Sequence, residues 1–204
     1  MKLVIATRNA HKLEEIRAIF EFPLDSAQGG KNLEVLSAFD FPEIPDVIED
    51  GDTLEANAVK KAVEIASATG CWAMADDSGL EVTALNGAPG VYSARYAGEE
   101  CSYAANNAKL LAELAGKEDR SARFRTVIAL SDPGGSTQTV EGECPGVIIE
   151  ELRGTNGFGY DPLFVPDGHS ETFAELDPEV KNRISHRARA LKKAHDVWAD
   201  IIRG

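Results

Sequence analysis

The sequence predicts an α/β fold, and three observations carry that prediction. A short apolar run opens the chain and feeds into a segment of helical periodicity. Strand-like and helix-like segments mix through the middle, and a proline-started helical stretch closes the chain. In order, Lys2–Ala6 has the unbroken apolar character of a buried strand. After Thr7-Arg8-Asn9-Ala10, the segment His11–Phe20 sets Leu13, Ile16, Ile19 and Phe20 at helical spacing, with Glu14, Glu15 and Arg17 outside. Residues 21–50 read as irregular, with a strand at Val35-Leu36 and a loop marked by Pro42 and Pro45. Thr53 caps a helix that Gly70 ends. Its apolar stripe is Leu54, Ala58, Ala62, Ile65 and Ala66, and Asn57, Lys60, Lys61 and Glu64 form the polar stripe. Trp72–Ala75 and Leu80–Leu85 read as two strands on either side of Asp76-Asp77-Ser78-Gly79. A turn-rich stretch over Asn86–Gly90 precedes a helix at Ser102–Leu114. Ala122–Ser131 and Ser136–Glu143 alternate around Asp132-Pro133-Gly134-Gly135, a hairpin signal. Asp177-Pro178-Glu179 then starts a helix with a cap, a first-turn proline and an acid.

Composition narrows the function classes. The 204 residues, 43% apolar and 27% charged, suit an ordinary core, and no repeat, low-complexity tract or linker divides them. A single domain over 1–204 is expected. No apolar run approaches bilayer length, and the first residues lack the pattern of a cleaved signal, so a cytoplasmic address and no membrane partner are expected. Cys71, Cys101 and Cys144 are odd in number and far apart, which argues against a disulfide framework and a structural zinc site. The net charge of −13 argues against clamping a nucleic-acid backbone, which rewards Lys and Arg. A small anionic substrate remains open if cations and helix N-termini are concentrated locally.

Several segments can carry chemistry. Thr7-Arg8-Asn9-Ala10-His11-Lys12, between strand and helix, offers a phosphate free N–H groups, the positive helix end and two cationic side chains. The Gly-Lys-Ser/Thr ending of a Walker loop is absent, and a plain polar turn is the alternative. Asp76 and Asp77 end an apolar strand. They point in opposite directions if the strand continues, whereas a turn at Ser78-Gly79 would bring both to one rim. Carboxylates there suit Mg2+, or a water to be oriented, and a solvated Asp-rich turn is the competing reading. In Thr155–Pro162, paired glycines allow close backbone approach. Phe158 or Tyr160 can stack on a base and Asp161 can accept from ring N–H groups, unless the aromatics merely fill the core. Finally, a single helix from Pro178 to Arg203 would put Lys181 about 140° from His186 and about 240° from Arg187. A second helix capped by Ser185 would instead set His186 and Arg187 in its first turn, so a break is predicted near Arg183–Ser185. Cations at a helix start oppose the local dipole, a conflict that a bound anion resolves.

Together these pieces resemble the inosine triphosphate pyrophosphatase family. The matching residues are Thr7-x-Asn9-x-x-Lys12, Thr53-Leu54-x-x-Asn57-Ala58, Ala75–Leu80, Gly87–Arg95, Gly157–Pro162, and Lys181 with Ser185-His186-Arg187. They run in the family's order over nearly the whole chain. The resemblance implies an α/β protein with a mixed central sheet, flanking helices and two lobes around a cleft, usually a homodimer. It also implies deaminated purine triphosphates (ITP, dITP and XTP) as substrates, cleaved with Mg2+ to the monophosphate and pyrophosphate. Carried onto this chain, Thr7, Arg8, Asn9, Ala10, His11 and Lys12 hold the triphosphate. Asp77 is proton acceptor and metal ligand, and Ser78 touches substrate. Phe158, Gly159, Tyr160 and Asp161 hold the base, and Lys181, His186 and Arg187 complete the pocket. The chain departs from the pattern at Ala56, where an acid often precedes Asn57. It departs again at Glu49-Asp50-Gly51, where Glu49 stands as the second metal ligand. A metal beside Asp77 would hold its pKa low and make it a water-orienting group more than a strong base. His186 or Arg187 is the candidate donor to the 6-keto oxygen that adenine lacks. Related pyrophosphatases that act on modified pyrimidine triphosphates lack the Ser-His-Arg and Gly-Phe-Gly-Tyr-Asp segments. A non-catalytic nucleotide sensor is disfavoured by the intact Asp76-Asp77 pair.

Overall fold

The opening apolar run forms β1 (Lys2–Ile5), and its burial on both faces follows from parallel neighbours on each side. The structure is a computed structural model that describes residues 1–19, 33–100 and 102–203. After β1 come α1 (Ala10–Ile19), β2 (Glu34–Ser37), α2 (Leu54–Thr69), β3 (Trp72–Val82) and α3 (Tyr103–Glu113). Then follow β4 (Ser121–Ser131), β5 (Thr137–Ile148), β6 (Phe164–Pro166), α4 (Pro178–Ile184) and α5 (His186–Arg203). The predicted α/β class holds, with a mixed six-stranded sheet: β1 pairs parallel with β2 and β3, and β5 pairs antiparallel with β6.

The chain forms two compact units. Unit 1 comprises Met1–Asp77, Thr126–Gly142 and Ala188–Gly204. Its strand order is β2-β1-β3-β4-β5. Leu3, Ile5, Met74, Ile128 and Leu130 of the strands pack with Leu13 and Ile16 of α1 and with Ala190, Leu191, Ala194 and Trp198 of α5. Trp198 donates its indole N–H to Gln138 at 3.1 Å, so the large ring is buried with its polar atom satisfied. Unit 2 comprises Ser78–Arg125 and Glu143–Arg187, with strand order β3-β4-β5-β6. Its core gathers Leu80, Val82, Leu110, Leu114, Phe124, Phe164 and Phe173.

The capping signals act as expected. Thr53 accepts from the Ala56 N–H at 3.1 Å, and Gly70 ends α2 in the left-handed region at φ 64°. The break near residue 185 is present: Ser185 is extended between α4 and α5. Three expectations need correction. The two strands predicted around Asp76–Gly79 are one strand, β3, with no turn at Ser78-Gly79. Gly79 serves close approach instead, since a Cβ there would lie 2.3 Å from the Gly90 carbonyl oxygen. The second hairpin strand runs on to Ile148, past the predicted end at Glu143. The first helix starts one residue early, and Phe20, predicted as its last apolar contact, lies outside the described residues, as does Cys101.

Candidate functional site

In unit 1 the chemistry-bearing residues gather where α1, α2 and β3 meet. Asn9 caps α1: its side-chain oxygen accepts from the Lys12 N–H at 3.2 Å, and its own N–H donates to Thr7 Oγ1 at 3.2 Å. That cap turns Lys12 back toward the sheet, where its ammonium lies 3.2 Å from Asp76 Oδ2. Because β3 does not turn, Asp77 goes to different partners. Asn57 of α2 donates to Asp77 Oδ2 at 3.1 Å, and Lys61 approaches Asp77 Oδ1 at 3.5 Å. Lys61 also donates to the Asp76 carbonyl at 2.7 Å and pairs with Glu49. Asn57 in turn accepts from the Gly51 N–H at 2.8 Å, which ties the Glu49–Gly51 segment to the start of α2.

Charges so enclosed shift one another. Burial pushes the Asp77 pKa up, and the attraction of Lys61 and Lys12 and the Asn57 hydrogen bond offset this only in part. Burial lowers the Lys61 pKa, but the combined attraction of Asp77, Glu49 and Asp76 leaves it raised. Asp77 without a metal is therefore a better proton acceptor than an exposed aspartate, in contrast to the low pKa expected beside Mg2+. Glu49 and Asp77 share one ammonium, and both present the hard oxygens that Mg2+ takes in ones and twos alongside phosphates and water. Among the described residues no group of three or more His, Cys, Asp or Glu side chains forms a metal cage.

Arg8 differs from expectation. Its guanidinium donates to the Phe41 and Ile44 carbonyls at 3.1 and 2.5 Å and pairs with Asp46 at 2.7 Å, so it ties down the 41–46 loop. Ala10 and His11 are exposed at the start of α1.

In unit 2 the predicted residues gather around the Phe158 ring. The Lys181 ammonium lies 5.1 Å and the Arg187 guanidinium 5.8 Å from its centroid, so the helix break does bring these cations to one place. Arg187 also donates to Ser78 Oγ at 3.1 Å. Asp161 is buried and works as a latch: Oδ2 accepts from the Phe158 N–H at 2.8 Å and from Lys181 at 2.7 Å. A Cβ on Gly157, whose φ is +72°, would sit 2.1 Å from that oxygen. Tyr160 is a core residue; its hydroxyl donates to the Ser93 carbonyl at 2.9 Å, and burial raises its pKa. Phe158, by contrast, is half-buried. His186 is buried, its imidazole stacked on Phe124 at 4.6 Å.

Sequence reasoning missed four residues here. Lys61 reads as part of the polar stripe of α2, yet its angle of about −20° from Leu54 puts it on the apolar face. A lysine in the middle of an apolar stripe is a signal of a buried partner. Asn57 stands in the sequence on the polar stripe and in a family motif, with no sign of its hydrogen bond to Asp77. Asn107, which donates to the Gly159 carbonyl at 3.0 Å, and Phe124 gave no local signal, because their partners lie far along the chain.

A mixed six-stranded sheet with helices, a buried carboxylate–lysine cluster in one unit and a cation–aromatic cluster in the other make this an α/β protein with its charged groups concentrated at two places. The particular assignment comes from comparison. The model described as Ham1 family matches residues 3–197, and the chain belongs to that family. A protein of Desulforamulus reducens named dITP/XTP pyrophosphatase is 53% identical over 199 residues, covering 97% of this chain and 95% of its own. One of Geobacter sulfurreducens with the same name is 53% identical over 204 residues, covering 98% of each. Among solved structures, the Staphylococcus aureus Ham1 protein superposes with a TM-score of 0.85 at 39% identity, covering 98% of this chain and 100% of its own. A HAM1 protein from Coxiella burnetii gives 0.86 at 41% identity, covering 98% and 99%.

Proposed function

We propose that the protein hydrolyses deaminated purine nucleoside triphosphates (dITP, ITP and XTP) to the monophosphate and pyrophosphate, and so cleanses the nucleotide pool. The observation that carries this reading is the Asp77 carboxylate, buried and gripped by Asn57 and Lys61 with Glu49 on the same ammonium. Family membership and relatives that bear the pyrophosphatase name over nearly their whole length support it.

In the chemistry that fits, Asn57 and Lys61 fix the orientation of Asp77, and Asp77 holds a water and accepts its proton. The water oxygen bonds to the α-phosphorus as the bond from that phosphorus to the α–β bridging oxygen breaks, and pyrophosphate leaves. The N-terminal N–H groups of α1, Thr7, Asn9 and Lys12 take the charge of the departing group, with Ala10 and His11 in the same first turn. Arg8 keeps the neighbouring loop in place. Mg2+ held by Asp77 and Glu49 would supply charge neutralisation on the phosphate oxygens. In unit 2, Phe158 stacks on the base beside Gly159, the Asp161 latch holds the loop, and Lys181, His186, Arg187 and Ser78 provide donors. His186 or Arg187 meets the 6-keto oxygen, a position where adenine presents a second donor.

Residues 1–204 function on this reading as one domain with two lobes, as a homodimer in the cytoplasm. No helix among the described residues is long and apolar enough to cross a membrane. The test is pyrophosphate release from a panel of nucleoside triphosphates with and without Mg2+. Release from dITP and XTP well above dATP, lost in Asp77→Asn, is the expected result. Binding without release would turn the assignment to a sensor, and preference for a modified pyrimidine triphosphate would overturn the substrate class.

A further inference from the structure

Phe124 lies on β4 in unit 2, buried, and none of the chemistry above uses it. Its ring is nearly parallel to the His186 imidazole, with centroids 4.6 Å apart and an interplanar angle of 12°. Phe164 meets the Phe124 ring edge-on at 4.8 Å and 67°, and Phe173 stacks on it at 5.9 Å and 23°. Phe164 and Phe173 also touch each other at 5.0 Å, so the Phe124 ring that carries the imidazole is itself held by two further rings. The second torsion of a histidine is broad and two-fold, so packing rather than intrinsic preference selects the ring plane. The imidazole N–H bonds lie in that plane, and the direction of donation follows it. Leu or Met would fill the same volume but would offer the imidazole no flat face to lie on.

We propose that Phe124 is a positioning residue for purine discrimination: its ring holds the His186 imidazole in the plane from which it donates to the oxygen at purine position 6. The inference rests on the reading that His186 belongs to the base-recognising donor set, and the experiment separates the two. Steady-state kcat and KM are measured for dITP and dATP in the wild type, Phe124→Leu, Phe124→Tyr, His186→Ala and the Phe124→Leu/His186→Ala double variant. Phe124→Leu is expected to lower kcat/KM for dITP by roughly fivefold, mainly through KM, and to leave dATP unchanged. Phe124→Tyr, which keeps the flat face, retains the preference. In the His186→Ala background Phe124→Leu narrows the preference no further. Equal losses for both nucleotides, or full narrowing without His186, would overturn the positioning role. Should His186→Ala itself leave the dITP preference intact, the parent reading of His186 fails, and that is visible without any change at Phe124. If Phe124→Leu does not fold, Phe124→Met, which fills similar volume without a ring, decides the same question.

Discussion

The two units stabilise their polar groups in opposite ways. In unit 1, Asp76, Asp77, Glu49, Lys12 and Lys61 are crowded together, and burial leaves Asp77 with a raised pKa. In unit 2, the buried Asp161 carboxylate lies 2.7 Å from the Lys181 ammonium, and Lys181 and Arg187 both lie over the Phe158 ring. A frustrated cluster suits a group that must exchange protons and meet a charged ligand. A matched pair suits a loop that must keep its shape. Neutralising Asp77 should therefore help folding in the first unit, and removing Lys181 should harm it in the second.

The largest expected effect sharpens that contrast directly. Asp77→Asn should lower kcat by about 10²–10⁴-fold, the range for loss of a general base. In metal-free protein at neutral pH the same variant should melt higher than the wild type. The folded pKa of Asp77 lies above its unfolded value, so its favourable contribution is complete below the unfolded pKa and is lost as pH rises through the folded one. The stability gap should thus open with rising pH and close below about pH 4, where both states carry a protonated Asp77. Thermal melts across pH in EDTA would check this; a variant less stable than wild type at pH 7 would break the comparison.

Unit 2 should respond the other way. Lys181→Met leaves Asp161 buried beside an apolar chain, and loss of one partner of a buried pair costs about 3–5 kcal/mol. Adding Asp161→Asn should recover part of that loss, because the buried carboxylate that lost its ammonium is then neutral. Urea unfolding of the single and double variants gives the measurement.

Much of this was legible in the sequence, and the limits have physical causes. Local signals survived: the Thr53 cap, the Gly70 stop, the hairpin turn and the break at Ser185 each depend on a few adjacent residues. The convergence of Lys181 and Arg187 on Phe158 followed from that break. Readings that depended on a distant partner did not survive. Gly79 reads as a turn residue until the Gly90 carbonyl is seen against it, and Arg8 reads as a phosphate ligand until its guanidinium is found holding residues 41–46. Tyr160 reads as a stacking ring until its hydroxyl is found on Ser93. Lys61 stands apart, since the helical angle alone assigns it to the buried face.

Gly79→Ala probes the close approach that replaced the predicted turn. Its methyl group would sit 2.3 Å from the Gly90 oxygen and 3.2 Å from Ser93 Oγ, so β3 or the facing turn must shift. The expected cost is about 1–3 kcal/mol, as for overpacking elsewhere. Ser93 accepts from the Leu80 N–H at 2.9 Å and donates to the Gly90 carbonyl at 2.6 Å, so the loss should fall on unit 2. Amide exchange faster at Leu80 than at Met74, on the same strand in unit 1, would bear this out.

The smallest effect tests whether the unit 1 cluster depends on its scaffold or only on its charges. Thr53→Ala removes the cap of α2, the helix that carries Asn57 and Lys61, without touching either side chain. Cap losses cost about 1 kcal/mol, and fraying is confined to the first turn. Asn57 lies at the edge of that turn and its N–H donates to the Thr53 carbonyl at 3.2 Å, whereas Lys61 lies a full turn further on. The variant should lose about 1 kcal/mol in urea and show a kcat lowered by no more than about twofold, because the grip of Lys61 on Asp77 persists when that of Asn57 loosens. A kcat as low as that of Asp77→Asn would mean that Asn57, rather than the Lys61 ammonium, sets the geometry of the carboxylate.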